Sequence, residues 1–198
     1  MQHQRQIILK EFIRYKFFNS LFVGLSVGSI FTIYAPLEPS LYSLGGIALA
    51  LAMLGIAKIY TKIMNIHYFY RISIAVELVM LISVLYFLFF SYSYTTALFI
   101  YAGYQLTFSF GSYLVRAETI LIPKSEALSR LDVAKQLGYL TGMSTSYLFY
   151  KMLTYFLNIA DNQSQVYELH YLLLITELIT IVFLLRSFSN TKETVDDL

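Results

Sequence analysis

Apolar residues run through this chain in long blocks separated by short polar intervals. Crossing a bilayer as a helix takes about 20 mostly apolar residues. Six blocks approach that length: 17–35, 40–57, 72–92, 95–115, 137–158 and 166–185. The pattern predicts an all-α membrane protein with six transmembrane helices. The first block is too long for a cleaved leader, and Glu11 interrupts the stretch before it. It is read as an uncleaved span, preceded by a short amphipathic helix carrying Ile7, Ile8, Phe12 and Ile13.

One long polar interval stands out, Arg116 to Gln136. Pro123 cannot continue a helix but suits a start just beyond it. A surface helix is therefore expected from Lys124 or Ser125, with Leu128, Leu131 and Ala134 on one face, leading into the fifth span.

Composition agrees with a lipid environment. Hydrophobic residues make up 58% of the 198 positions, and only 13% are charged, against about 25% in soluble domains. The net charge of +2 is too small to point to nucleic acid. The placement of the basic residues is more informative. All 14 except Lys151 fall before the first span, between the second and third, in the 116–136 connector, or after the sixth. The connections 36–39, 93–94 and 159–165 have none. Positive charge marks the cytoplasmic side, so both termini are expected there, in the inner membrane of a cell.

Cysteine is absent, which removes disulfides and thiol chemistry. Three histidines are too few for a haem bundle with paired ligands, and no cofactor is expected. His170 and Glu168, two apart on a helix, do not share a face, which argues against a metal site. No nucleophile-elbow, zinc-protease or phosphate-loop motif occurs, and the chain is not read as an enzyme.

The sequence also repeats itself. Shifted by 100 positions, the third span meets the sixth: Ala75–Val79 falls on Ile175–Ile179, and Glu77 on Glu177. Shifted by 93, the second span meets the fifth, with Leu44–Gly45 on Leu137–Gly138 and Lys58 on Lys151. Copies with an odd number of spans insert with opposite orientation. The expected organisation is one domain over 1–198, with a first triplet over 17–92 and a second over 95–185. The connector 116–136 interrupts the second triplet, and a tail follows at 186–198.

On these features the chain resembles one six-helix half of a major facilitator superfamily transporter, an inverted 3+3 repeat. Leu44–Gly45–Gly46 at the second span and Ala134–Gly142 at the fifth are similar to that family. The family's motif between spans two and three is not kept: Ile59 follows Gly55 by four residues and Tyr60 stands where Arg would. The resemblance implies transport of a small-molecule substrate by two copies, or by one copy and a partner membrane chain. A second reading is a six-helix substrate-capturing or accessory subunit of a larger transporter complex, such as one paired with an energy-coupling module.

Candidate site residues follow the polar faces. Tyr101, Gln105, Ser109, Ser112 and Arg116 recur at helical steps in and just after the fourth span. They form either a cavity wall or a set of interhelical hydrogen bonds. The resemblance favours the cavity, because the family's first and fourth spans line it. In the fifth span, Ser144, Tyr147, Lys151, Thr154 and Asn158 share a face. Lys151 is either an interfacial cation reaching water or a cavity cation pairing with Glu177, Glu168 or an anionic substrate. Glu77 and Glu177 are candidates for proton coupling, or for a hydrogen bond clamping two helices. Gly24 and Gly28 allow close helix approach, within the bundle or at a dimer face.

Overall fold

The computed structural model describes residues 4–191. It is helical apart from two four-residue strands: β1 (Gln4–Ile7), α1 (Leu9–Ile33), α2 (Pro39–Lys58), α3 (Tyr60–Ile63), α4 (Ile66–Phe90), α5 (Tyr94–Ser109), α6 (Gly111–Leu121), α7 (Ser125–Phe156), α8 (Asn162–Arg186) and β2 (Phe188–Thr191). Four of these helices, α1, α2, α4 and α8, are long and apolar enough to cross a membrane. The chain is thus built as a helical membrane protein.

Local chemistry sets the boundaries. Pro39 sits in the first turn of α2, where its missing N–H costs nothing. Asn65 caps α4 by accepting from the His67 and Tyr68 amides at 3.1 and 3.2 Å. Ser93 caps α5 through the Thr96 amide, and Asp161 caps α8 through the Ser164 amide at 2.8 Å. Asn158, just beyond α7, takes φ 56°, a left-handed conformation that asparagine tolerates and that ends a helix.

Three boundaries differ from the sequence reading. The fourth span is not continuous. Thr107 and Ser109 donate their hydroxyls to the carbonyls of Tyr104 and Leu106, at 2.8 and 2.6 Å, and Gly111 follows. Such back-bonding competes with the helix ladder, and the chain breaks at Phe110 into α5 and α6. The surface helix and the fifth span are instead one 32-residue helix, α7. The leading segment is no separate helix either. Ile7 lies in β1, and α1 starts at Leu9. Phe12 is fully buried, because β1 pairs antiparallel with β2 and the pair folds over the helix ends. Phe12, Phe69 and Phe188 meet there with ring centres about 6 Å apart.

Helix contacts define the bundle. α1 packs along α7 and α8, α5 packs along α4 and α2, and α4 meets α8. α2 has no buried residue; it touches the rest mainly through α5. The tightest approach is between α1 and α7. A Cβ on Gly142 would come within 2.9 Å of the Leu25 amide nitrogen, and one on Gly138 within 3.2 Å of that of Leu21. Gly24 of the Gly24–Gly28 pair serves the same interface, which is within the bundle.

Candidate functional site

Three groups of polar residues are set into this bundle. The deepest joins α1, α4 and α8. Glu77 and Glu177 are both fully buried. The Tyr15 hydroxyl donates to Glu77 Oε1 at 2.6 Å, and Asn19 Nδ2 donates to the same oxygen at 2.9 Å. Glu177 sits on α8, which packs against α4, the helix that carries Glu77. Glu77 Oε2 and both Glu177 oxygens have no hydrogen-bond partner among the described residues. A carboxylate only accepts, so the two can bond to each other only through a shared proton. The repeat pointed to these acids; Tyr15 and Asn19 it did not, since their α1 positions read only as span.

The second group lies at the end of the bundle that holds the start of α7. Glu118 of α6 is 4% exposed at its side chain and binds Lys16 of α1 at 2.7 Å and Lys135 of α7. Lys135 also reaches Asp132 at 3.1 Å. Burial alone would raise the Glu118 pKa, but the two ammonium groups outweigh it and hold it below the usual carboxylate value. Lys135 is raised in return, again against the effect of burial. Lys16 follows Tyr15 in the chain and is near enough for its charge to act on Glu77 as well. Along the sequence these lysines mark orientation, and nothing in the spacing singles out Glu118.

The third group is the cleft between α2 and α5, about 380 Å³, mostly aliphatic, with Tyr101, Gln105 and Ser109 on its α5 wall. Tyr101 donates to the Tyr42 carbonyl at 3.3 Å, and Ser109 is occupied by Leu106. Gln105 Oε1 has no hydrogen-bond partner among the described residues and is a free acceptor on this wall. Ser112 and Arg116 lie beyond the break on α6, exposed, and do not line the cleft. Tyr147 and Lys151 are exposed on α7. Lys151 Nζ lies 5.8 and 5.9 Å from the ring centres of Tyr147 and Tyr155. The structure does not bring Lys151 to Glu177 or Glu168; Glu177 is committed to the α4–α8 contact instead.

His170 is buried, stacked on Phe87 at 3.8 Å, with Nδ1 2.6 Å from the Val166 carbonyl oxygen. Among the described residues no cluster of His, Asp or Glu is arranged to hold a metal ion. Comparison with known proteins finds no matching family model, no matching curated protein and no matching solved structure.

Proposed function

We propose that this chain is one half of a secondary transporter for a small solute, with six spans in two oppositely inserted triplets. It works against a second copy of itself or a partner half, and the Glu77–Glu177 pair carries the coupling proton. The observation that carries this reading is that residues matched by the repeat occupy matched contacts. Exchanging the triplets turns the α1–α7 contact into α5–α2, and α1–α8 into α5–α4, while α4–α8 maps onto itself; all of these are packed pairs. Gly45 faces the Tyr101 ring of α5, and its counterpart Gly138 faces the Phe17 backbone of α1. Glu77 and its counterpart Glu177 are both buried, on α4 and α8, which pack together.

The half-transporter reading draws on exposure. Ser112, Arg116, Ser144, Tyr147 and Lys151 face outward from the bundle. Polar groups do not face lipid cheaply, and a second bundle over α2, α5 and α7 would give them a shared aqueous cavity. A buried carboxyl keeps its proton while shut off from water and can release it once a conformational change hydrates it, as coupled transport requires.

The chain has no cysteine, so single-cysteine cross-linking is direct. Tyr147→Cys, treated in native membranes with a short bismaleimide, should give a species of twice the chain mass. Leu178→Cys, on the exposed side of α8, should not. A cross-link to a chain of different mass would favour the subunit reading. Monomers from both variants, with a monomer by native mass spectrometry, would remove the two-half transporter. Once a substrate is in hand, Glu77→Gln or Glu177→Gln should abolish the pH dependence of uptake; unchanged uptake excludes the pair from coupling.

A further inference from the structure

A second concavity lies at the cytoplasmic end, apart from every group described above. It is a groove of about 420 Å³ between β1, the start of α4 and the turn from α6 to α7. Ile7, Ile66, Leu121 and Ile122 give it an apolar lining, which Arg5, Gln6 and Lys124 also join. We infer that this groove binds an anionic phospholipid of the cytoplasmic leaflet, its phosphate between Arg5 and Lys124 and an acyl segment along the aliphatic lining.

Three features make the groove complementary to such a molecule. The Arg5 guanidinium carbon lies 3.8 Å from the centre of the Tyr70 ring. That stacking uses the guanidinium face and leaves its N–H edge free for a planar or tetrahedral oxyanion. Lys124 is exposed, and among the described residues neither it nor Arg5 is paired with a carboxylate. Glu126, the acid nearest Lys124 in the chain, is taken by Arg130 at 2.7 Å. Apart from Arg5, Lys124 and the Gln6 amide the lining is apolar, which suits an acyl segment better than free phosphate. Two cations beside an apolar slot match an amphiphile with an anionic head, not a zwitterionic one. Lys10, Lys62 and Arg71, all exposed at the same end of the bundle, put the groove in the field of the anionic leaflet.

The test uses the full chain purified in mild detergent, with native mass spectrometry as readout. Wild-type protein should retain phosphatidylglycerol in preference to phosphatidylcholine. Each basic contact near a membrane surface is worth about fivefold in affinity, so the double variant Arg5→Gln/Lys124→Gln should lose roughly thirtyfold. Arg186→Gln, which removes a charge outside the groove, should bind as wild type. Excess glycerol phosphate should fail to displace the lipid. Equal retention of the two lipids by wild type, wild-type binding by the double variant, or displacement by glycerol phosphate would each overturn the assignment. The first and last comparisons need no variant, so a folding defect cannot obscure them.

Discussion

Purified Gly24→Ala should unfold several degrees below the parent protein, while Gly28→Ala should match it. The two glycines form one small-residue motif, yet they meet different neighbours. A methyl group on Gly24 would run into the Tyr139 carbonyl oxygen and lie 3.0 Å from the Met143 amide nitrogen. These are backbone atoms of α7, which cannot rotate away; the helices must separate. A methyl group on Gly28 would meet the Tyr150 ring at 3.4 Å, ordinary contact with a side chain that can shift. Overpacking a well-fitted contact costs about 1–3 kcal/mol. For a chain of this length that is about 2–4 °C in midpoint for each kcal/mol. At Gly28 the small strain is offset by the better helix propensity of alanine, up to about 1 kcal/mol.

Gly142→Leu should be worse than either. Gly142 lies against Gly24 itself, where an added Cβ would be 3.0 Å from the Gly24 Cα, and Gly138 continues the seam one turn earlier. Lipid offers no hydrophobic force to press helices together, so close backbone contact is a main source of association. Leucine there would part α1 from α7 along the seam. The check is a thermal melt in detergent with size-exclusion elution as a second readout. If Gly24→Ala and Gly28→Ala melt together, the close approach of α1 and α7 is not what holds this side of the bundle.

Much of this architecture was legible because bilayer-spanning helices are written in long apolar blocks. Pro123 marks the start of α7, but α4 and α8 begin at Ile66 and Asn162, six and four residues ahead of their apolar blocks, where Asn65 and Asp161 cap them. The break at Phe110 was not legible. Thr107, Ser109 and Gly111 are individually tolerated in a helix, and only their hydroxyls turned onto the preceding carbonyls show the ladder giving way. That break also decides which polar residues share a wall: Tyr101, Gln105 and Ser109 stay together, and Ser112 and Arg116 leave. Glu77 and Glu177 were visible because charge is rare inside an apolar block. Tyr15, Asn19 and Glu118 were hidden, because Tyr and Asn are common near membrane surfaces and Glu118 sits in a stretch where polarity is expected. Their partners come from other helices, and no spacing along one helix reveals them. The pairing of β1 with β2 joins the two ends of the described chain, a contact that local periodicity does not encode.

Glu118→Gln should be the most damaging change among the ionisable residues outside the buried acid pair. It takes from Lys16, 12% exposed at its side chain, its ion-pair partner in a nearly closed site. Removing one member of a buried ion pair costs about 3–5 kcal/mol, most of it for the charge left behind. Lys135 is less affected, since it is 24% exposed and still has Asp132. The paired change Lys16→Met/Glu118→Leu should therefore recover most of the loss, because an apolar replacement of both partners carries no stranded charge. The acid response gives a second test. Glu118 has its folded pKa below the ordinary value, so its contribution is present above the unfolded pKa of about 4.3 and is lost as pH falls through the folded one. Lys135 is shifted upward; its contribution is full below about pH 10.4 and fades only above that. Between these limits the trio should stabilise the protein independently of pH. Below about pH 4 the parent should lose midpoint faster than Lys16→Met/Glu118→Leu does. A parent and double variant with the same acid limb would mean that these ends of α1, α6 and α7 are held by Phe12, Tyr113 and Leu131 alone, and that the charges merely occupy the space between them.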